Sequence, residues 1–211
     1  SSLWQITGAL VVSNAASGAL NIASDGTVPD SSLASGVAAD SAGIITLSGT
    51  NSSLIITGTA SVGGAGSGEF SILNGASVSI GSDLNIGETA GGSGNVDIEG
   101  ASGTLFIGGN LNMGAGGPAQ LTVGPNATVM LDNGGINAGP NATLNLFAAI
   151  DPLFQKGGTL NVKTTQTQNF PAYVSDASFV LNAGVTYTLN TPVILGASQF
   201  AIGTGNSAPC V

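Results

Sequence analysis

The stretch SDLNIGETAGGSGNVDIEGASGTLFIGGNLNMG, residues 82–114, contains nearly the same phrase twice, as LNIG at 84–87 and as LNMG at 111–114. In both phrases two apolar residues flank an asparagine, and a glycine follows. Alternation with a period of two is typical of a β-strand with one buried face. Glycine supplies the backbone conformation of a tight corner. The return of the same strand and corner therefore indicates a structural repeat.

The repeat extends on both sides of this stretch. Residues 67–92, 93–117 and 118–139 align as three blocks, and each block holds three short apolar-x-apolar units separated by glycine or asparagine. Strands this short do not form an independent sheet, but they can form the three sides of a coil whose copies stack at about 4.8 Å. We therefore predict an all-β parallel β-helix (a β-solenoid), with three short strands per coil of about 22–27 residues.

Stacked coils place equivalent residues in columns along the solenoid axis. One outward column is predicted to be a structural ladder of asparagines whose side-chain amides hydrogen-bond to each other, formed by Asn85, Asn112 and Asn137. Two inward columns are predicted in the same way: Ile72 over Ile98 over Val123, and Ile86 over Met113 over Ala138.

The flanking sequence continues the pattern less regularly. Residues 3–26 and 43–66 each read as a further coil, and residues 141–147 resume the repeat. Residues 27–40 are predicted to be a lateral loop, because Pro, Ser and Asp interrupt the alternation. Residues 148–156 also break the repeat, and we interpret them as one short helical turn or a capping loop.

The predicted organisation is a solenoid over residues 1–163, with its clearest repeats at 43–147, followed by a divergent segment at 164–211. We expect that segment to be a C-terminal β cap or a set of final coils, because a solenoid end otherwise exposes apolar surface and open edges. Cys210 is the only cysteine, which excludes an internal disulfide. We interpret it as an inert thiol, with an intermolecular link as the alternative.

The charge composition excludes several partners. Lys156 and Lys163 are the only cations against eleven carboxylates, and the net charge is −9. Nucleic-acid binding needs clustered Lys or Arg, so we expect no nucleic-acid partner. The apolar runs are far shorter than the roughly 18–20 residues that span a bilayer, so we expect no membrane insertion.

Candidate catalytic residues are few. The chain contains no histidine, which excludes Ser/His/Asp and Cys/His arrangements. Asp83, Glu88, Asp97 and Glu99 fall in adjacent coils, which raises the alternative of a polysaccharide-active enzyme. No cation lies near them in the sequence to stabilise developing charge. We therefore expect no catalytic site.

One glycine-rich segment is close to a calcium-binding repeat. Residues 91–99, GGSGNVDIE, approach the nonapeptide in which glycines precede an aspartate, but Asp97 falls one position late and no second copy follows. Calcium requires six to eight oxygen ligands, usually shared between adjacent repeats. We interpret the segment as a glycine-rich corner, and we expect no cofactor and no metal.

Three asparagines lie in glycosylation sequons: Asn51, Asn126 and Asn141. Asn126 and Asn141 both follow Gly-Pro, a combination that favours a corner. We interpret these residues as turn residues, with glycosylation as the alternative.

The phrases ASVSIG, LNIG, TLFIG, LNMG and QLTVG, which fall within residues 43–147, resemble the glycine-rich repeats of bacterial autotransporter passenger domains and related secreted β-helix surface proteins. This resemblance implies a parallel β-helix on or beyond the cell surface. It implies an extracellular or cell-surface location after removal of a signal peptide.

The leading functional hypothesis is a secreted structural protein that assembles end to end with copies of itself into an extracellular fibre, a matrix or the adhesive layer of a biofilm. The predicted assembly residues lie at the N-terminus: Leu3, Trp4, Ile6, Leu10, Val11 and Val12. An apolar segment with few charges can add a strand to a neighbour's open edge. The alternative is an adhesin-type rod that presents its C-terminal segment to a surface glycan or a receptor, and a polysaccharide-active enzyme is the third hypothesis.

Overall fold

The computed structural model describes residues 1–100, 102–151, 153–168, 172–182, 184–190, 193–196 and 199–202. Within these ranges the chain is all-β, with no helix and with parallel pairing between every pair of adjacent strands. Residues 203–211, which include Cys210, lie outside the described residues. Seven successive turns of the chain each contribute one strand to each of three sheets. The predicted β-solenoid with three sides per coil is confirmed.

The strands are numbered β1 to β27 in chain order. Sheet 1 contains β1 (Ser2–Leu3), β4 (Gly26–Asp30), β7 (Ser53–Ile56), β10 (Ser77–Ile80), β13 (Thr104–Ile107), β16 (Thr128–Leu131) and β19 (Ile150–Asp151). Sheet 2 contains β2 (Ala9–Val12), β5 (Ser32–Ser35), β8 (Ala60–Val62), β11 (Leu84–Ile86), β14 (Leu111–Met113), β17 (Ile136–Ala138), β20 (Leu153–Lys156), β23 (Ala172–Ser175) and β26 (Val193–Gly196). Sheet 3 contains β3 (Ser17–Ala23), β6 (Ala42–Ser48), β9 (Ser67–Leu73), β12 (Ser93–Glu99), β15 (Ala119–Val123), β18 (Ala142–Leu146), β21 (Thr159–Val162), β24 (Ser178–Leu181) and β27 (Gln199–Ile202).

The pairing register explains the repeated phrase. In sheet 2, Leu84 pairs with Leu111 and Asn85 pairs with Asn112, so LNIG and LNMG are the same side of two consecutive coils. The glycine that ends the first phrase, Gly87, has a φ of 64° and turns the chain towards sheet 3. A positive φ favours glycine because it has no Cβ. The phrase therefore marks one turn of the solenoid.

The core is a set of inward columns that run along the axis. Ile72, Ile98 and Val123 lie in register and are fully buried, as predicted from the sequence. Phe70, the largest fully buried side chain, lies one inward position earlier in the same sheet. Burial of one such side chain contributes about 1.5–3 kcal/mol. Each column residue packs against its equivalents in the coils on either side, so the core is continuous from coil to coil.

At the corner between sheets 2 and 3, glycine holds the first inward position of the sheet 3 strand in the first four coils and alanine holds it in the next two: Gly18, Gly43, Gly68, Gly94, Ala119 and Ala142. A Cβ added at Gly94 would lie 2.3 Å from the carbonyl oxygen of Val62 and 2.8 Å from the backbone nitrogen of Gly87. These are backbone atoms of the corner itself, and contacts this short would force them to shift. At Gly8, by contrast, an added Cβ would meet no atom within 4 Å.

We expect Gly94→Ala to lower the free energy of unfolding by about 1–3 kcal/mol, because the methyl group overpacks a corner made of backbone. Gly8→Ala is the matched control and is expected to be neutral or slightly stabilising, since its methyl group meets open space. Urea unfolding followed by circular dichroism measures both variants. Equal midpoints for the two variants would contradict this account of the corner.

The segment 27–40 was predicted to be a lateral loop, and that prediction is wrong. It contains β4 and β5, which form two sides of the second coil. The apolar alternation was hidden because Asp30 and Ser35 occupy inward positions and are 3% and 0% exposed. Asp30 is satisfied by backbone groups: the N–H of Leu10 donates to its Oδ2 at 3.2 Å, and the N–H of Ser31 donates to its Oδ1 at 2.6 Å.

The segment 148–156 was predicted to be a helical turn or a capping loop, and that prediction is also wrong. It contains β19 and β20, which continue sheets 1 and 2. Ile150 and Leu153 are fully buried, as in any other coil. Gln155 lies in register with the inward Ile136 and is itself fully buried, with its Nε2 donating to the carbonyl oxygen of Gly157 at 2.9 Å. Because a glutamine replaces the expected apolar residue at this inward position, the sequence repeat is interrupted here.

Beyond residue 163 the chain continues to add strands to sheets 2 and 3. The third side differs, because β22 (Gln166–Gln168) and β25 (Tyr187–Leu189) pair with each other in a separate two-stranded sheet that is not joined to β19. Tyr187 packs against Phe179 with ring centroids 6.2 Å apart, and its hydroxyl lies 3.5 Å from Oε1 of Gln168. Burial raises the pKa of Tyr187 from 10.0 to about 12.

This raised pKa predicts alkaline destabilisation of the C-terminal coils. Above about pH 10 an unfolded chain ionises its tyrosine while the folded chain keeps Tyr187 neutral, so stability falls between pH 10 and 12 by about 2–3 kcal/mol in total. Tyr187→Phe keeps the ring and cannot ionise. We expect urea midpoints of the two proteins at pH 9 and pH 11.5 to show a smaller decrease for Tyr187→Phe, and an identical decrease would overturn the assignment.

Candidate functional site

The asparagine ladder lies on the outer face of sheet 2. Nδ2 of Asn112 donates to Oδ1 of Asn85 at 2.8 Å, and Nδ2 of Asn137 donates to Oδ1 of Asn112 at 2.9 Å. The register places the three residues directly over one another. The predicted ladder is therefore present, and it is built by the parallel stacking of coils, which brings identical side chains to hydrogen-bonding distance.

The ladder has a direction and charged groups near both ends. Each amide donates towards the preceding coil, so within the ladder Asn85 only accepts and Asn137 only donates. We call the Asn85 end, where Nδ2 is not used by the ladder, the donor end, and the Asn137 end, where Oδ1 is not used, the acceptor end. Asn85 pairs in register with Ser61, whose hydroxyl donates to Oε2 of Glu88 at 2.9 Å. At the other end Asn137 is in register with Lys156. A carboxylate thus lies near the donor end and an ammonium group near the acceptor end, which matches the direction of the amide dipoles.

The ladder forms one wall of a groove on sheet 2. The groove has a volume of about 540 Å³, and its lining includes the three asparagines, Glu88, Lys156 and Asp176. Each ladder amide keeps a hydrogen-bonding atom or proton that its neighbours do not use. The groove can therefore form hydrogen bonds along the solenoid axis with a neutral hydroxylated ligand.

A second groove of about 420 Å³ follows the corner on sheet 3. Its outward column runs from Glu69 through Asn95 and Gln120 to Thr143, one residue per coil. Nδ2 of Asn95 donates to Oδ2 of Asp97 at 2.5 Å, whereas its Oδ1 is buried without a hydrogen-bond partner. Glu69 is the only carboxylate in this lining, so the groove lacks the acid pair that glycoside hydrolysis uses.

The four carboxylates considered for catalysis are not brought together. Asp83 accepts a hydrogen bond from the backbone N–H of Asn110 at 2.7 Å near the corner between sheets 1 and 2. Glu88 follows β11 in the corner between sheets 2 and 3, Asp97 lies on the outer face of sheet 3, and Glu99 ends β12. Asp97 and Glu99 share the outer face of β12, two residues apart, whereas Asp83 and Glu88 lie at two other corners of the solenoid. No group of three or more His, Cys, Asp or Glu that could hold a metal exists among the described residues.

The predicted assembly residues lie in the first coil. Leu3, Trp4 and Val11 are 68%, 54% and 47% exposed. Ile6 and Leu10 pack partly against the core, and Val12 is buried. The strands of this coil, β1, β2 and β3, each lie at the edge of a sheet and pair on one side only. The structure therefore brings these residues together at one end of the described rod.

All three sequon asparagines, Asn51, Asn126 and Asn141, are exposed. Asn51 and Asn126 have φ values of 69° and 64°, a conformation that asparagine tolerates better than most residues. Nδ2 of Asn51 also donates to Oδ1 of Asp25 at 3.2 Å in the preceding corner. Turn chemistry accounts for the first two positions.

Sequence reasoning missed a second asparagine pair. Nδ2 of Asn161 donates to Oδ1 of Asn145 at 3.1 Å on the outer face of sheet 3. The signal was available, because Asn145 and Asn161 lie in the similar phrases TLNL and TLNV. The charged groups near the ends of the sheet 2 ladder were missed for a different reason. Glu88 lies in a corner, and Lys156 lies in the segment 148–156, which was not predicted to be a coil.

Comparisons with known proteins do not assign this chain to a family. No family model, no curated protein and no solved structure matches it. Among the described residues no helix has the length and apolar character needed to cross a membrane. Functional reasoning therefore rests on the surfaces of the solenoid.

We expect Asn112→Ala to lower the free energy of unfolding by about 1–3 kcal/mol, because it removes two ladder hydrogen bonds worth about 0.5–1.5 kcal/mol each. Asn137→Ala removes one of these bonds and is the matched control, with about half the effect. Urea unfolding measures the difference. Equal losses for the two variants would show that the ladder bonds do not contribute separately.

Proposed function

We propose that this protein is a structural rod that associates end to end with copies of itself through its first coil. The observation that carries the proposal is the combination of open sheet edges and exposed apolar side chains in β1, β2 and β3, the coil that contains Leu3, Trp4 and Val11. Open strand edges pair readily with another chain unless charge, proline or a covering element prevents it.

The burial of equivalent residues indicates what a covering coil would contribute. Leu10 and Leu20 occupy inward positions but are only partly buried. Their partners in the next coil, Leu33 and Ile45, are 2% and 0% exposed. The difference is the apolar surface that stacking of one more coil would remove from water. That burial favours association by the same hydrophobic term that stabilises the core.

The first coil also lacks the charged side chains that commonly prevent edge strands from pairing with another chain. Residues 1–24 contain no Asp, Glu, Lys or Arg side chain, although the whole chain carries a net charge of −9. Lysine on an edge strand is a common means of preventing pairing. An uncharged end on an acidic rod concentrates association at that end.

The geometry of such a contact favours a fibre. The last described strands of sheets 2 and 3, β26 and β27, pair on one side only among the described residues, in the same parallel sense as β2 and β3. A contact between two different ends of a molecule is heterologous and extends without closing when its rotation does not form a ring. We therefore favour a fibre or a fibrous surface layer, located outside the cell, over a closed oligomer.

We expect Val11→Lys to weaken self-association of the purified chain at least tenfold, because it places a hydrated ammonium group on the edge strand of sheet 2. Ile44→Lys is the matched control: Ile44 is 45% exposed and Val11 is 47% exposed, but Ile44 lies in the second coil. Both substitutions lower the net negative charge equally. Concentration-dependent sedimentation velocity and negative-stain electron microscopy measure the association.

Fibres in the unmodified protein and in Ile44→Lys, with single particles in Val11→Lys, would support the proposal. Discrete rods in the unmodified protein at high concentration would overturn it. They would favour the alternative of a binding rod that presents its C-terminal segment to a glycan.

A further inference from the structure

The outer face of sheet 1 differs from the other two sides of the solenoid. We call the outward residues of β4, β7, β10, β13 and β16 the sheet 1 face. One of its columns consists of hydroxyl residues: Thr27, Ser53, Ser77, Thr104 and Thr128. The second column is mainly apolar: Pro29, Ile55, Ser79, Phe106 and Met130. Both columns run parallel to the axis over five consecutive coils.

The sheet 1 face carries no charged side chain. The one charged residue in its five strands is Asp30, which points inward and is 3% exposed. Asp25 precedes β4, Asp132 follows β16, and Asp151 is in register with Met130, so carboxylates occur at the borders of the face. Over the same five coils the strands of sheet 2 also hold no charged residue, but their outward positions are mostly small residues and asparagines, whereas the outer face of sheet 3 carries Glu69 and Asp97. An uncharged centre with a polar rim is the usual composition of a protein interface.

The apolar column is accessible. Ile55 and Met130 are 41% and 42% exposed, and Phe106 between them is half-buried. Ile55 and Met130 lie three coils apart, a distance of about 14 Å at a coil spacing of about 4.8 Å. The face is therefore a regular strip of hydroxyl and apolar groups on a molecule whose net charge is −9.

We propose that the sheet 1 face packs against the same face of a second copy, and that this contact joins end-to-end rods side by side. The inference rests on the proposed fibre. Two sheets pack face to face at about 10 Å when their facing side chains are apolar or small. A face that lacks charge is where two copies of a strongly acidic chain meet with the least repulsion.

The size of the face explains why the contact would belong to a fibre. Five coils at about 4.8 Å and four residues at about 3.3 Å give roughly 300 Å² of projected surface per copy. A stable pair of proteins usually buries about 800 Å² per partner. One pair of copies is therefore held weakly. Within a fibre the contacts repeat along the axis, and linked weak contacts add to strong binding.

The decisive experiment compares two double variants of the full chain. Ile55→Glu/Met130→Glu places carboxylates in the sheet 1 face, where they would meet carboxylates of the facing copy. Ile44→Glu/Val37→Glu is the control, since it adds the same two charges at exposed positions outside the face. We expect bundled fibres in the unmodified protein and in Ile44→Glu/Val37→Glu. In Ile55→Glu/Met130→Glu we expect mainly single fibres, with the fraction of fibres in bundles reduced at least tenfold. Fibre width in negative-stain images measures this fraction.

Ser77→Lys, at an exposed position of the hydroxyl column, is a second variant that changes one side chain, and circular dichroism checks the folding of every variant. Bundles that persist in both face variants, or fibres of the unmodified protein that are always single, would overturn the lateral contact and leave the end-to-end proposal intact. Two results together would support both the end-to-end contact and the lateral contact. Val11→Lys would form no fibres, and the face variants would form fibres that do not bundle. A third result would assign the face to a polysaccharide surface instead. The unmodified protein would form no bundles but would bind insoluble cellulose or chitin, and Ile55→Glu/Met130→Glu would abolish that binding.

Discussion

The structure depends on the stacking of coils at about 4.8 Å through parallel backbone hydrogen bonds. This spacing places each side chain directly over its equivalent in the next coil, so each residue must be compatible with the side chain that stacks on it. Isoleucine, leucine and valine meet this condition by packing, and asparagine meets it by hydrogen bonding, as in Asn85 and Asn112. Two carboxylates in register would repel each other. In the described strand pairs no carboxylate faces another, which is consistent with the low charge of the chain.

The same constraint explains how much of the fold the sequence could predict. Residues 82–114 predicted the coil, its three sides and the inward columns, because apolar alternation and glycine corners coincide there. Prediction failed at 27–40 and 148–156, where Asp30 and Gln155 take inward positions. Backbone N–H groups satisfy the carboxylate of Asp30, whereas Gln155 bonds only through its Nε2 and its buried Oε1 has no partner. These partners are visible only in three dimensions.

The candidate surfaces were predictable to different extents. The asparagine ladder followed from spacing alone, since equivalent positions in consecutive coils must stack. Its direction did not follow, because it depends on the side-chain torsion of each amide. The sheet 1 face could have been derived from the same alignment. In each apolar-x-apolar unit of sheet 1, the outward residues are the middle residue and the residue that precedes the unit. Its lack of charge becomes meaningful only when compared with the carboxylates on the other sides.

The separate pairing of β22 with β25 has a mechanical consequence. In the described chain the first seven coils are joined by three sheets, whereas the seventh and eighth coils are joined by sheets 2 and 3 alone. In a solenoid the coupling between units is set by nearest-neighbour contacts, so this junction is a weaker link along the axis. A rod under tension would open there first, and the seven coils before it would remain as one cooperative block.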